Sequence, residues 1–206
     1  MKMIQGTLVF FTLIATHGLQ AAPEGAYLRS VVASGSGCPA SSPELGVVLD
    51  QDELVMMLPS MLVEWGPGLA KVLSRKNCVI TLDVAVPQGW QYSLGSWENS
   101  GFVKLDAGLR AEVGLQYFFE GGTGQRLSQI FQGPVESDFR FRDVFSIAAQ
   151  SWSTCAAPRK LNINTLVRIQ SNVSPPEPEA RGFLELGSHW ESNILKMQLN
   201  WRRCPV

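Results

Sequence analysis

The sequence has few of the side chains on which enzyme active sites most often depend. It contains 2 histidines, His17 and His189. Because His17 lies in a predicted export signal, only His189 remains for a Ser-His-Asp or Cys-His centre, and no G-x-S-x-G nucleophile elbow accompanies it. This count excludes a zinc site built from several histidines, and no EF-hand calcium loop occurs. We therefore expect no metal or other cofactor. The scarcity of histidine favours a non-enzymatic protein but leaves a hydrolase with paired carboxylates as the alternative.

The chain also lacks an excess of charge of either sign. It carries 17 Lys and Arg residues against 18 Asp and Glu residues, a formal net charge of −1. This balance provides no general attraction to nucleic acids, so we expect no nucleic-acid partner. The basic residues occur only in pairs, which are typical of solvated surface. The segment Gly121-Gly122-Thr123-Gly124 has no following lysine and helix, so it predicts a hairpin turn instead of a phosphate-binding loop.

Long apolar runs are absent, apart from one short run near the N-terminus. Lys2 precedes the apolar residues 8–15, and small residues follow at Ala21 and Ala22. A membrane-spanning helix needs about 20 apolar residues, so this run predicts a cleaved export signal over residues 1–21. A buried N-terminal helix is the alternative. We expect residues 22–206 to form a single domain, secreted or periplasmic, without a transmembrane segment.

What the chain has in abundance is apolar residues that alternate with polar ones. In residues 109–120, apolar side chains at every second position lie opposite Arg110, Glu112, Gln116 and Glu120. A period of two predicts β-strands with one buried face. The same pattern recurs in three further segments, at residues 78–86, 161–170 and 195–202. About ten strands joined by glycine and proline turns predict an all-β fold, an antiparallel two-sheet sandwich or a jelly roll.

Two segments depart from this alternation. Residues 56–73 contain consecutive apolar side chains, and Pro59 and Pro67 interrupt any helix, so we expect a short strand followed by a loop. Residues 173–180 combine three prolines with two glutamates and have no apolar period. We expect this second segment to be an exposed, extended hairpin loop and not a linker between domains.

All four cysteines, Cys38, Cys78, Cys155 and Cys204, lie beyond the export signal. No two of them have the C-x-x-C spacing of redox or metal sites, so they predict two structural disulfides in an oxidising compartment. Four cysteines allow three pairings, and the sequence leaves all three open. Proximity favours Cys38 with Cys78 and Cys155 with Cys204. Each such bridge contributes about 4 kcal/mol in the chain-entropy model.

Aromatic residues supply the candidate binding site. Trp90, Tyr92 and Trp97 lie close together after a proline turn, and Trp190 adjoins a loop. Flat ring faces match the C–H surfaces of pyranose sugars, so these four side chains are candidates for stacking on a carbohydrate. The alternative is that Trp90 and Tyr92 alternate into the core as ordinary strand residues.

Acidic residues supply an alternative function, that of a glycosidase-like hydrolase. Such an enzyme needs two carboxyl groups about 5 to 9 Å apart across a cleft. Glu112 and Glu120 share a face but lie roughly 27 Å apart along one strand, so they do not form a pair. Two pairs drawn from different strands remain as candidates, Asp83 with Glu112 and Asp106 with Asp143.

Seven short motifs occur in order along residues 22–206: Gly35-Ser36-Gly37-Cys38-Pro39, Arg75-Lys76-Asn77-Cys78, Val86-Pro87-Gln88-Gly89, Gly101-Phe102 with Leu105-Asp106-Ala107-Gly108, Phe131-Gln132-Gly133-Pro134, Leu161-Asn162-Ile163-Asn164-Thr165 and Leu199-Asn200-Trp201-Arg202-Arg203-Cys204. Together they resemble the secreted bacterial and fungal proteins catalogued as domain of unknown function 4360. The resemblance implies an exported, β-rich protein with the same cysteine framework. It implies no activity, cofactor or catalytic residue.

These observations favour a secreted, non-enzymatic, disulfide-stabilised β-sandwich protein. We expect it to present a binding surface to a carbohydrate or to another cell-surface partner. A secreted hydrolase that uses paired carboxylates is the alternative. The two functions differ in whether two acids converge in a concave, aromatic-lined groove.

Overall fold

Twelve β-strands and one short 3-10 helix make up the regular structure of the computed structural model, which describes residues 19–40, 45–59, 61–146, 150–155, 159–187 and 193–205. The strands are β1 (Tyr27–Ser34), β2 (Gly46–Asp50), β3 (Glu53–Leu58), β4 (Leu62–Trp65), β5 (Arg75–Ala85), β6 (Trp90–Leu105), β7 (Leu109–Phe119), β8 (Gln125–Gln132), β9 (Val135–Val144), β10 (Leu161–Ser171), β11 (Gly182–Leu186) and β12 (Asn193–Arg203). The 3-10 helix spans Lys71–Ser74. Among the described residues, no helix is long and apolar enough to cross a membrane.

One sheet has five strands in the order β1-β5-β10-β7-β8, with every neighbouring pair antiparallel. The register places the predicted apolar rows of β5, β10 and β7 next to one another. Ile163 of β10, for example, lies opposite both Ile80 of β5 and Tyr117 of β7. All three side chains are buried, as period-two alternation requires. The predicted core rows of β5, β7 and β10 are confirmed.

The other sheet is built around β6, which is 16 residues long. Along one edge of β6, β12 pairs with its first half and β11 pairs with its second half. Strands β3 and β4 then pair with β12 and β11, and β2 pairs with β3. On the opposite edge, β9 pairs with β6. Strands β12 and β11 lie one after the other along the same edge of β6, and β3 and β4 lie one after the other beside them. The sheet is therefore five strands wide, like the first.

The two sheets pack face to face, and their inward side chains form the core. Trp97, Trp201, Tyr92 and Tyr117 are its largest fully buried side chains. Three of them lie on the central strands β6 and β12 of the second sheet. The predicted antiparallel two-sheet sandwich is confirmed. The row of β12 that contains Trp201 faces inward as the alternation predicts.

Both favoured disulfides are present. Cys38 and Cys78 are joined across a Cα–Cα distance of 5.2 Å, and Cys155 and Cys204 across 5.9 Å. The first bridge is buried in the core, with both cysteines at 1% exposure or less. The second lies at the surface, where Cys155 is exposed and Cys204 half-buried.

For the two segments that break the alternation, the structure confirms only part of the prediction. Residues 56–73 contain the end of β3, the whole of β4 and most of the 3-10 helix, so a second strand follows the expected one. Residues 173–180 are exposed up to residue 179, as predicted, but a hairpin is wrong. Strand β10 before the loop belongs to the five-stranded sheet and β11 after it to the other, so the loop crosses between sheets.

Candidate functional site

Two of the predicted stacking residues, Tyr92 and Trp97, lie in the core, where each has 0% exposure. The Tyr92 ring packs against Trp201 with a centroid distance of 5.4 Å, and the Trp97 ring packs edge-on against Phe141 at 5.0 Å. A side chain with no exposed face cannot stack on a ligand from solvent. For these two residues the stacking role is therefore wrong, and for Tyr92 the alternative of an ordinary core residue holds.

Trp90 is half-buried, and its ring is covered by the protein itself. The guanidinium of Arg203 lies 4.2 Å from the ring centroid. Nearby, Arg202 covers Trp152 in the same way at 3.8 Å. Such cation–π pairs occupy the ring face that a sugar would need. The fourth predicted residue, Trp190, lies outside the described residues, as does His189.

The segment of residues 150–155 closes this end of the sandwich. Ser153 exchanges hydrogen bonds with the backbone of Tyr92, at 3.0 and 2.8 Å, and the Ser151 amide donates to the Tyr117 hydroxyl at 3.2 Å. Burial raises the pKa of both the Tyr92 and the Tyr117 phenols, while hydrogen bonds of Tyr117 to Ser93 and Ser151 partly offset that rise. Both phenols therefore stay neutral in their packed positions.

The strand register separates both candidate carboxylate pairs. Glu112 is level with Arg75, at the opposite end of β5 from Asp83, so their backbones lie roughly 26 Å apart. Asp143 lies opposite Trp97, whereas Asp106 follows the far end of β6, roughly 30 Å away. Neither pair can act across one glycosidic bond, so both hypotheses are wrong.

Glu112 itself is not the solvated surface acid that the alternation predicts. Its side chain is only 5% exposed, and its carboxylate binds Arg126 on β8 and Arg168 on β10, the latter at 2.6 Å. Burial alone would raise the pKa of Glu112, but hydrogen bonds and charge from the two arginines outweigh burial and lower it. Glu112 is thus a structural anion.

A cleft surrounds Trp65, the last residue of β4, at the end of the sandwich opposite Trp90. Its larger lobe has a volume of about 460 Å³. The lining residues come from β4, the following turn, the end of β6 and the start of β11: Glu64, Trp65, Gly66, Pro67, Leu69, Lys104, Asp106, Arg181, Gly182 and Phe183. A smaller lobe of about 210 Å³ adjoins it beside Pro176, Glu177 and Pro178. We call both lobes together the Trp65 cleft.

Backbone hydrogen bonds hold the walls of the Trp65 cleft. The Leu69 amide donates to the Gly66 carbonyl at 3.2 Å, and Gly68 supplies the positive φ of +77° that this turn requires. On the opposite wall, Asp106 and Arg181 are joined twice. The Asp106 amide donates to the Arg181 carbonyl at 2.9 Å, and the Asp106 carboxylate accepts the Arg181 amide at 2.8 Å. The cleft is therefore formed before any ligand binds.

The polar side chains of the Trp65 cleft are of both signs. Lys104 pairs with Glu136 at 2.9 Å. Within the described part of the chain, the side chains of Glu64 and Arg181 make no hydrogen bond or ion pair, so both are available to a ligand. Phe183, at the cleft, packs against Phe102 with a centroid distance of 6.1 Å. This pair extends the apolar surface of the cleft onto the outer face of the sheet.

A second depression lies on the outer face of the sheet that contains β6. It has a volume of about 290 Å³, and no aromatic side chain is among the described residues that line it. Its charged side chains are matched within the protein: Glu98 with Arg140 at 3.1 Å, Glu53 with Lys196 at 3.7 Å, and Arg142 with Gln198 at 3.3 Å. This depression is a weaker candidate than the Trp65 cleft, because its polar groups are already satisfied.

The sequence analysis missed Trp65, because it lies in the segment whose apolar residues run together. One signal was present, since Trp65 directly precedes the turn Gly66-Pro67-Gly68. Because β4 ends at Trp65, no later residue of that strand can pack over the ring. The contributions of Lys104, Arg181 and Phe183 depend on strand pairing, which no local pattern indicates.

The fold and the two disulfides define a disulfide-stabilised β-sandwich protein. Residues 1–18 of the predicted export signal lie outside the described residues. The chain belongs to the family described as Domain of unknown function (DUF4360), whose model matches residues 24–204. A protein of the fungus Arthroderma benhamiae named "Uncharacterized secreted protein" is 27% identical over 183 residues, which cover 88% of this chain and 73% of that protein. The predictions of the family and of a secreted protein are thereby confirmed.

Two solved structures resemble the fold at 10% sequence identity. One is the carbohydrate-binding module TmCBM61 in complex with beta-1,4-galactotriose, which matches over 84% of this chain and 90% of that chain with a TM-score of 0.28. The other is the enzymatically active domain of bacteriophage CBA120 tailspike protein 4, with 81% and 19% coverage and a TM-score of 0.29. Similarity at this level carries no argument about function.

Proposed function

We propose that this protein is a non-enzymatic secreted binding protein that holds a glycan in the Trp65 cleft. The observation that carries the proposal is that Trp65, half-buried against the core, lines a cleft together with polar groups that have no partner. Among the described residues, no aromatic ring or guanidinium pairs with Trp65, in contrast to Trp90 and Trp152. The exposed part of Trp65 at the cleft offers apolar surface for sugar C–H groups, and Glu64 and Arg181, which line the same cleft, offer hydrogen bonds for hydroxyls.

The size of the Trp65 cleft favours an oligosaccharide over a single sugar. Its larger lobe, at about 460 Å³, falls within the range of small-molecule sites, which is roughly 300 to 1,000 Å³. Glu64, Trp65, Gly66 and Leu69 border both lobes, so a bound chain would cross over this shared edge. The proline-rich loop forms the far wall of the smaller lobe.

The test is a glycan and cell-wall polymer binding screen on the oxidised protein, followed by calorimetry on each hit. We expect Trp65→Ala to weaken binding by about tenfold or more, as truncation of an aromatic anchor does. Trp152→Ala is the matched control, because it also removes a half-buried tryptophan but at the opposite end. The proposal fails if no polymer binds, or if both variants bind as the unsubstituted protein does.

A hydrolase is the second candidate, because Glu64 and Asp106 line the same aromatic cleft. The register places their backbones about 12 Å apart, two strand spacings and two residues of rise. However, the Asp106 carboxylate already accepts the Arg181 amide, so it has a structural role. Release of reducing ends from a bound glycan, lost in Glu64→Gln while binding persists, would favour the hydrolase. Binding without turnover favours the first proposal.

A further inference from the structure

Four arginines lie together on the outer face of the five-stranded sheet, far apart in sequence but close in the fold. They are Arg75 on β5, Arg110 on β7, Arg126 on β8 and Arg168 on β10. We propose that this surface, the arginine face, binds the carboxylates of a uronic-acid polysaccharide. It is a second site, and it does not depend on the Trp65 cleft.

The strand register brings the arginines together. Arg168 lies directly opposite Arg75 on one side and opposite Glu112 on the other. Arg110 is two residues from Glu112 on the same face of β7, and Arg126 reaches Glu112 from β8. Neighbouring strands are about 4.8 Å apart, so the backbones of Arg75, Arg168 and Glu112 span only about 10 Å.

The charges of the arginine face do not balance. Its one acid, Glu112, is saturated by Arg126 and Arg168. In the part of the chain that the structure describes, Arg75 and Arg110 have no ion pair or hydrogen bond, and the Nε atom of Arg110 is buried without a partner. That nitrogen is enclosed by the protein, so a carboxylate from solvent would bind the other N–H groups of the two unpaired guanidinium groups. The whole chain is nearly neutral, which makes this positive surface a local feature.

The protein already shows how these arginines bind a carboxylate. Two nitrogens of Arg168, Nε and a terminal one, lie 2.8 and 2.6 Å from the same oxygen of Glu112. Arginine has further N–H groups on the same planar fork, and planar carboxylates fit that geometry. The two unpaired arginines therefore have the chemistry to bind a carboxylate from outside.

Amide side chains beside the arginines favour a polysaccharide as the source of the carboxylates. Gln170 and Gln132 lie on either side of Arg110 across the sheet. Amides donate to and accept from hydroxyl groups, which a uronic-acid chain carries beside each carboxylate. A flat sheet face without a deep pocket suits a long repeating ligand. Single-stranded nucleic acid would instead need exposed aromatic rings for its bases.

The test compares binding of a uronic-acid polymer, a neutral polymer of the same linkage, a sulfated polysaccharide and single-stranded DNA. We expect the uronic-acid polymer to bind and Arg75→Ala with Arg110→Ala to weaken it by about tenfold or more. The matched control is Arg140→Ala with Arg142→Ala, which removes the same charge from the other sheet and should change binding less than about threefold. Trp65→Ala should leave this binding unchanged, which separates the two sites.

Four results would overturn the proposal: equal weakening in both double variants, equal binding of the neutral polymer, preference for the sulfated polymer or DNA, or loss of binding in Trp65→Ala. Because Arg75 and Arg110 have no partner to lose, we expect the double variant to fold. Unchanged thermal unfolding would verify this. The single variant Arg75→Gln provides a second measurement, and a full retention of affinity there would also contradict the proposal.

Discussion

The two ends of the sandwich both carry tryptophans beside turns, yet they differ in what covers the rings. At one end, which we call the closed end, Arg203 covers Trp90 and Arg202 covers Trp152. At the other, the open end, Trp65 lines a cleft beside Arg181, whose guanidinium does not pair with the ring. The comparison teaches that an aromatic residue near a turn remains a binding candidate only when no guanidinium of the protein pairs with its ring.

Covalent structure separates the two ends as well. The closed end is fastened by the surface disulfide Cys155–Cys204 and by hydrogen bonds from residues 150–155 to β6 and β7. The open end relies on the short turn after Trp65 and on the double link between Asp106 and Arg181. The buried bridge Cys38–Cys78 ties β5 to the segment after β1 and belongs to neither end. We therefore expect damage at one end to leave the other intact.

The largest expected effect comes from removing the closed-end bridge. Cys155→Ser with Cys204→Ser should lower the free energy of unfolding by about 4 kcal/mol, because the bridge closes a loop with a sequence separation of 49. Denaturant unfolding measures this loss, and hydrogen exchange should show lost protection in residues 150–155. Below the unfolding transition, the glycan binding that we propose for the Trp65 cleft should persist. Its loss in the folded variant would show that the two ends are coupled.

The next effect concerns Glu112, which cross-links β7, β8 and β10 toward the open end. Glu112→Gln should lower the free energy of unfolding at pH 7 by about 1–2 kcal/mol. This is less than for a fully buried ion pair, because the Arg126 and Arg168 side chains are 52% and 37% exposed and solvent screens their charges. Glu136→Gln is the control. Its pair with Lys104 is exposed on both sides, so we expect less than about 0.5 kcal/mol.

In acid, the unsubstituted protein and Glu112→Gln should have the same free energy of unfolding, because protonation removes the Glu112 charge. The folded-state pKa of Glu112 is lowered, so its stabilising contribution is present above the unfolded-state pKa of about 4.3 and is lost as pH falls through the folded value. The curves of stability against pH for the unsubstituted protein and Glu112→Gln should therefore converge below about pH 4. Curves that stay parallel would contradict the role of the Glu112 charge.

The fold was largely predictable because its determinants are local. Alternation in β7, β10 and β12 records which face of each strand is buried, and turns mark where strands end. The disulfide pairing is the one that proximity along the chain favoured, although the sequence left all three pairings open. The crossing of residues 173–180 between sheets was not predictable, because an exposed proline loop looks the same whether it joins neighbours in one sheet or strands in two.

The two candidate binding surfaces were not predictable, because they are made by pairing between distant strands. Tyr92 and Trp97 are five residues apart, so strict alternation would place them on opposite faces of β6. Both are buried, because the pairing of β6 with β12 shifts register between them. Trp65 gains its cleft from Lys104 and Arg181, and the arginine face joins four strands. Trp90 would have kept its place as a candidate without Arg203, whose pairing across β6 and β12 no local pattern indicates.

The smallest expected effect tests what covers the closed end. Arg203→Met keeps the apolar stem over Trp90 but removes the charge, so it should cost about 0.5–1 kcal/mol, the contribution of one exposed cation–π pair. Acrylamide quenching of tryptophan fluorescence should rise, because a flexible thioether covers the ring less completely than the planar guanidinium. Arg181→Met, at the open end, is the matched control and should leave quenching unchanged, since Arg181 makes no cation–π pair with Trp65. Equal quenching changes in the two variants would mean that the ends do not differ in how their rings are covered.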